Sequence, residues 1–159
     1  MVQELVAKGE YDDALCLLDH PERLPTLYAW WREGLVREEL PKLFAFVWSD
    51  TEAAAYYAPE ALEMFAAAGY VTDTEERLSG ELTIYRGVCG DGEAAGMSWT
   101  RELKVARFFA QRFDWLGNPR VYRATVRAED VLGYFEYRKE AEIVVRPSQL
   151  RNVALIEKT

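Results

Sequence analysis

Near residue 80 the hydrophobic pattern changes period, and that change limits the chain to a mixed architecture. Ahead of it the sequence reads as helices. Gly9-Glu10-Tyr11-Asp12-Asp13-Ala14-Leu15 opens a helix expected to run to Asp19. Pro21 and Pro25 stand where new helices are expected to begin, since proline suits a first helical turn. Further helices are expected over 39–49 and from Pro59 to Ala68, the last closed by Gly69. After Ser79-Gly80 the pattern turns to strands. Leu82-Thr83-Ile84-Tyr85 and Val121-Tyr122-Arg123-Ala124-Thr125-Val126 alternate. Short strands are expected around Met97–Trp99, Val131–Tyr134, Ile143–Val145 and Val153–Ile156. One amphipathic helix, Arg101 to Phe113, interrupts them. Several short strands around one internal helix indicate an α+β fold with a mostly antiparallel sheet or split sandwich. The expected division is a helical part over 1–79 and a sheet core over 80–159, together forming one compact domain.

At 159 residues the chain is long enough to bury a real core. No apolar run approaches the length that spans a membrane, and no membrane partner is expected. The opening MVQELVAKGE lacks the basic-then-apolar pattern of a signal peptide, so the expected location is the cytoplasm, or the cytosol of a target cell. Cys16 and Cys89 are read as free thiols of a reducing compartment, with a single disulfide as the alternative. His20, the one histidine, lies in Asp19-His20-Pro21, which reads as a helix end or turn. With no cluster of Cys or His around it, no metal site is expected, and a His-dependent triad would rest on it alone. No Gly-x-Gly-x-x-Gly follows a strand, which argues against a Rossmann site.

Charge is uneven. Residues 1–85 carry 6 Lys+Arg against 17 Asp+Glu, and residues 86–159 carry 13 against 10. The second part sums to +3 within a chain of net −8. That suits an anionic ligand such as a dinucleotide, and falls short of the basic face of a nonspecific nucleic-acid binder.

The carboxylate pair Glu140-Ala-Glu142 leads into Ile143-Val144-Val145. On an extended segment both carboxylates would point to one face. Like charges side by side repel, so stability alone seldom puts them there. A fixed carboxylate does suit chemistry in which positive charge develops at a sugar carbon. The bland alternative is an exposed strand face.

Upstream of this pair stand Tyr85-Arg86-Gly87 at a strand end, Ser98-Trp99-Thr100, and a helix ending in Phe109-Ala110-Gln111-Arg112. In that order the motifs resemble the mono-ADP-ribosyltransferases of the Arg-Ser-Glu class, the group that contains cholera toxin, clostridial binary toxins and phage transferases. The resemblance covers about residues 80–147. It departs from the family at Trp99, in the middle of a Ser-Thr-Ser pattern, and in the short segment between Gly133 and Glu140.

The resemblance implies an ADP-ribosyltransferase-like split antiparallel β-sandwich and NAD as co-substrate; the helical part, outside the resemblance, is expected to pack on the sheet and wall one side of the cleft. It implies Arg86 on the pyrophosphate, Gly87 main chain on the nicotinamide amide, Ser98 orienting Glu142, Phe109 stacked on nicotinamide, and Arg112 as a second phosphate contact. Glu142 would be the catalytic glutamate. Glu140 would face the incoming nucleophile, and Tyr137 and Arg138 would touch the acceptor. Glu at position 140 implies protein arginine as acceptor, with NAD hydrolysis as a side activity. Each residue also has a plainer reading: Arg86 and Arg112 as solvated cations, Gly87 as a turn glycine, Ser98 as an edge serine, Phe109 as core, and Tyr137 and Arg138 as loop. The alternatives for the whole are a nucleic-acid ADP-ribosyltransferase toxin and a noncatalytic interaction module. An antitoxin or immunity protein is a further partner in the toxin setting.

Overall fold

The structure, a computed structural model, describes residues 1–49 and 58–158. Its contacts divide the chain into two units, Met1–Val71 and Thr72–Thr159.

The first unit is helical. Helix α1 (Val2–Lys8) closes on Gly9, whose left-handed backbone (φ 77°) turns the following N–H, that of Glu10, onto the carbonyl of Leu5. Helix α2 spans Tyr11–Cys16 and stops short of the expected Asp19. Helix α3 runs His20–Arg32. Pro21 occupies its first turn as expected, but Pro25 lies inside the helix rather than at a new start. The ring at Pro25 forgoes only the bond to the carbonyl of Pro21, one turn back at the helix entrance, so the helix continues. Helix α4 (Leu40–Ser49) buries Leu40, Leu43, Phe44, Val47 and Trp48, an i, i+3, i+4, i+7, i+8 stripe. Helix α5 (Ala58–Ala68) answers with Ala61, Met64 and Phe65. The Phe44 and Phe65 rings meet at 4.5 Å between centroids, and Trp48 packs edge-on to Phe65 at 5.1 Å. Among the aromatic side chains of these helices, Trp30, Phe44 and Trp48 are core, while Phe46 is exposed.

The second unit is built on strands β2 (Glu81–Val88), β3 (Ser98–Thr100), β4 (Arg120–Arg127), β5 (Val131–Phe135), β6 (Glu142–Val145) and β7 (Arg151–Lys158). A two-residue strand at the unit boundary, β1 (Val71–Thr72), completes the sheet in the order β1-β5-β6-β3-β2-β4-β7. Every register pair resolved between strands is antiparallel. The architecture is therefore α+β with a seven-stranded, mostly antiparallel sheet. The sheet unit begins at Thr72 rather than Gly80, because residues 72–76 are hydrogen-bonded to the sheet side.

One face of the sheet buries Leu82, Ile84, Trp99, Ala124, Val126, Tyr134, Ile143 and Val145 in a common core. The alternating burial of β2 and β4 is what the sequence pattern requires of half-buried strands. On the other face lies helix α6 (Leu103–Gln111), whose Leu103, Ala106 and Ala110 pack on Tyr85, Val121 and Ile156. It is shorter than the expected Arg101–Phe113. Thr100 Oγ1 accepts the N–H of Glu102 at its entrance, and a 3-10 turn over Asp114–Leu116 follows its end. Arg107 on α6 makes a bidentate pair with Glu157 of β7.

Strands β2 and β3 are joined by a single register pair, Tyr85↔Thr100. Continued, that register would set Gly87 opposite Ser98. Instead the guanidinium of Arg86 donates from Nη1 to the carbonyl of Ser98 at 2.8 Å. The two strands splay there, and the splay opens a cavity.

Candidate active site

The cavity in the splay has a volume of about 120 Å³. Tyr85, Arg86 and Gly87 line it from β2, Ser98, Trp99 and Thr100 from β3, Phe109 from α6, and Glu140 and Glu142 from the segment leading into β6. Four sequence motifs separated by as many as 57 positions thus meet at one place. The volume fits a ring-sized group and its polar attachments, well below the 300–1,000 Å³ usual for whole ligands. A dinucleotide would lay only one end in it.

Glu142 opens β6, held by backbone pairing on both sides, opposite Thr100 of β3 and Phe135 of β5. Ser98 Oγ donates to its Oε2 at 2.5 Å. A hydroxyl fixed on one strand therefore orients a carboxylate on the next, and both residues line the cavity. The expected extended Glu-x-Glu segment is not extended. Ala141 has φ 46° and Lys139 φ 56°, both left-handed, and strand β6 begins only at Glu142. The two carboxylates reach one cavity by a tight turn, not by strand alternation. The turn holds because the Thr100 hydroxyl donates to the carbonyl of Glu140 at 2.6 Å and the N–H of Arg101 to that of Ala141 at 3.1 Å.

Arg86 is half-buried. Its Nε donates to the carbonyl of Glu93 at 3.0 Å, and its fork lies against Gly96, where any side chain would overlap it. Burial lowers its pKa from the ordinary guanidinium value, and the Glu93 charge partly offsets this. A guanidinium set among carbonyls in a cavity wall is poised for an anionic oxygen.

Gly87 lines the cavity, and its missing side chain also makes room for α6. A Cβ there would fall on the carbonyl of Ala106 and sit 2.7 Å from the N of Ala110. The glycine admits α6 to the sheet, and that packing brings Phe109, one residue before Ala110, to the cavity. Trp99 turns the opposite way from its neighbours: its ring joins the core and its indole N–H donates to the carbonyl of Gly96 at 2.8 Å. The middle residue of this motif is thus a core position, which accounts for the large apolar side chain.

Arg112, Tyr137 and Arg138 do not line the cavity. The exposed Arg112 guanidinium lies over Phe113, 4.9 Å from its centroid, and at 6.0 Å from Phe109, so it flanks the ring that does line it. Tyr137 and Arg138 are exposed on the turn between β5 and β6. Cys16 and Cys89 are unbridged.

Sequence reasoning missed a group that braces this turn. Asp73 accepts the N–H groups of Glu136 and Tyr137 at 2.7 and 2.9 Å. Thr72 Oγ1 donates to the carbonyl of Tyr134 at 2.7 Å. Glu76 pairs with Arg101 at 2.8 Å and receives the Tyr134 hydroxyl at 3.1 Å, and that hydroxyl also meets Glu136. The Arg101 guanidinium holds Glu76 below the usual carboxylate range. Burial, then the Glu136 carboxylate, raises the Tyr134 phenol well above its ordinary value. The only sequence signal for this group was the run of short polar residues Thr72-Asp73-Thr74, which favours side-chain bonds to backbone. None of the known protein families, curated proteins or solved structures compared with the chain matches it.

Proposed function

We propose that the protein is a mono-ADP-ribosyltransferase that consumes NAD and transfers ADP-ribose to a macromolecular acceptor, with protein arginine as the leading acceptor. The observation that carries this reading is the Ser98–Glu142 hydrogen bond on a cavity shared with Arg86, Phe109 and Glu140. The single-pair junction of β2 and β3 supports a split sheet of the transferase kind.

In this reading the cavity takes the nicotinamide and its ribose. Phe109 offers a ring face, Arg86 a charged fork for the pyrophosphate, and Arg112 a second cation beside Phe109. Glu142, held by Ser98, accepts a hydrogen bond from a ribose hydroxyl. Its negative charge stabilises the positive sugar carbon that forms as the bond to nicotinamide lengthens. Nicotinamide leaves neutral with the bonding pair. A guanidinium nitrogen of the acceptor then bonds the same carbon and gives up its proton to Glu140, since a protonated guanidinium is a poor nucleophile.

A macromolecular acceptor is favoured by exposed apolar residues on either side of Phe109 in the chain. Phe108, Phe113, Trp115 and Leu116 are all exposed, the Phe113 and Trp115 rings meet edge-on at 5.1 Å, and Arg112 lies over Phe113. Aromatic residues with arginine and few other charges are the composition of protein-binding surfaces. Incubation of the protein and a cell lysate with labelled NAD tests the reading. Label should enter protein, resist nuclease, be lost to protease, and be absent with Glu142→Gln. That variant should keep NAD affinity yet lose turnover by about a hundredfold or more, roughly 3 kcal/mol of transition-state stabilisation. Near-normal turnover by a folded Glu142→Gln protein would remove Glu142 from the chemistry.

A further inference from the structure

We infer that Asp73 is a positioning residue for the acceptor side of the site: its carboxylate sets the turn that carries Glu140 into the cavity. The inference rests on the transferase reading and adds to it a residue outside every motif that led to that reading.

Three observations converge on the turn. Both oxygens of Asp73 are committed to it, Oδ1 to the N–H of Glu136 and Oδ2 to that of Tyr137. The far end is fixed separately, by Thr100 on the carbonyl of Glu140 and Arg101 on that of Ala141. Between these pins the backbone is held where side chains rarely go, at Lys139 (φ 56°) and Ala141 (φ 46°). Such a conformation persists only when its surroundings over-determine it. Releasing the near pin lets residues 136–141 relax toward ordinary backbone angles and swings Glu140 away from the cavity. Glu142 has other supports, its pairing with β3 and β5 and the Ser98 bond.

Asp73 therefore acts on one half of the reaction. Breaking the ribose–nicotinamide bond needs Glu142. Delivering the acceptor nitrogen to the sugar carbon, with its proton passing to Glu140, needs the turn. Water can take the place of the acceptor, so hydrolysis of NAD continues without the turn. A residue that merely stabilised the fold would lower both activities together.

The experiment measures nicotinamide release and ADP-ribose transfer to agmatine side by side for wild type, Asp73→Ala and Asp73→Asn. Asp73→Ala should lower transfer by about tenfold or more, the scale of losing charge-assisted bonds, while hydrolysis stays within about threefold. The KM for NAD should hold and that for agmatine should rise. Asn keeps one acceptor oxygen and should fall between, and it carries the test if the Ala variant does not fold. Amide hydrogen exchange at Glu136 and Tyr137 should quicken in both variants. Parallel loss of the two activities, or unchanged transfer in a folded variant, overturns the positioning role. Absence of nicotinamide release by wild type is a different result, and it overturns the transferase reading itself.

Discussion

Glu140 and Glu142 are one residue apart, but the left-handed Ala141 between them makes them independent. Glu142 belongs to a strand and answers to Ser98, whereas Glu140 belongs to a turn and answers to Thr100 through its own carbonyl. Their separate supports predict separable roles. Glu140→Gln should abolish transfer to arginine and leave appreciable NAD hydrolysis, because water needs less activation than guanidinium. Nicotinamide release measured beside label transfer decides this, and equal loss of both would place Glu140 on the NAD side. The sequence identified the two carboxylates but not how they come together. Alanine gives no hint of a positive φ, which glycine or asparagine would have signalled. The residues that alternate within strands, such as Leu82, Ile84, Ala124 and Val126, were legible because burial on one sheet face imposes a period of two. Asp73 was not legible, because its partners lie 63 and 64 positions away and two-residue β1 leaves no periodic trace.

At the scale of elements, the seating of α6 on β2 decides where Phe109 stands. The helix approaches so closely that its Ala106 carbonyl occupies the place of a side chain at position 87. Gly87→Ala should push α6 off the sheet, at a cost of about 1–3 kcal/mol from overpacking. Two readings follow from one displacement: a lower melting temperature, and weaker NAD binding as Phe109 leaves the cavity wall. Calorimetric titration together with a thermal melt checks both, and a variant unchanged in each would contradict the packing argument. Strands β2 to β7 and α6 were each legible as elements, within a few residues at their ends, because their apolar spacing is long enough to count. The helices of the first unit were harder. The pair Leu5 and Val6 ahead of Gly9 marks α1 only weakly, and Pro25 reads locally as a helix start although α3 passes through it.

For the molecule as a whole, charge bears on the acceptor. Residues 86–159 sum to +3 in a chain of net −8, so no broad field gathers a phosphate backbone. Transfer to a single arginine should weaken only modestly with salt, through screening. Transfer to nucleic acid should fall steeply, linearly in log–log form, as counterions are no longer released to advantage. Rates measured across a salt series distinguish the two, and a steep slope with nuclease-sensitive label would overturn arginine as the acceptor while leaving the Arg86–Ser98–Glu142 constellation in place. The bonds that build this site share one property with consequences for biosynthesis. They join Asp73 to Glu136, Arg86 to Ser98, Thr100 to Glu140 and Ser98 to Glu142, across 63, 12, 40 and 44 positions. The three that span 40 positions or more form late, after loop closure has been met across most of the sheet. During translation Asp73 emerges first and waits, its carboxylate without the two amides it will hold, until Glu136 and Tyr137 have emerged. On the proposed transferase reading, a nascent chain would be silent toward NAD until the sheet unit is nearly complete, and the onset of turnover would mark the end of folding rather than any earlier stage.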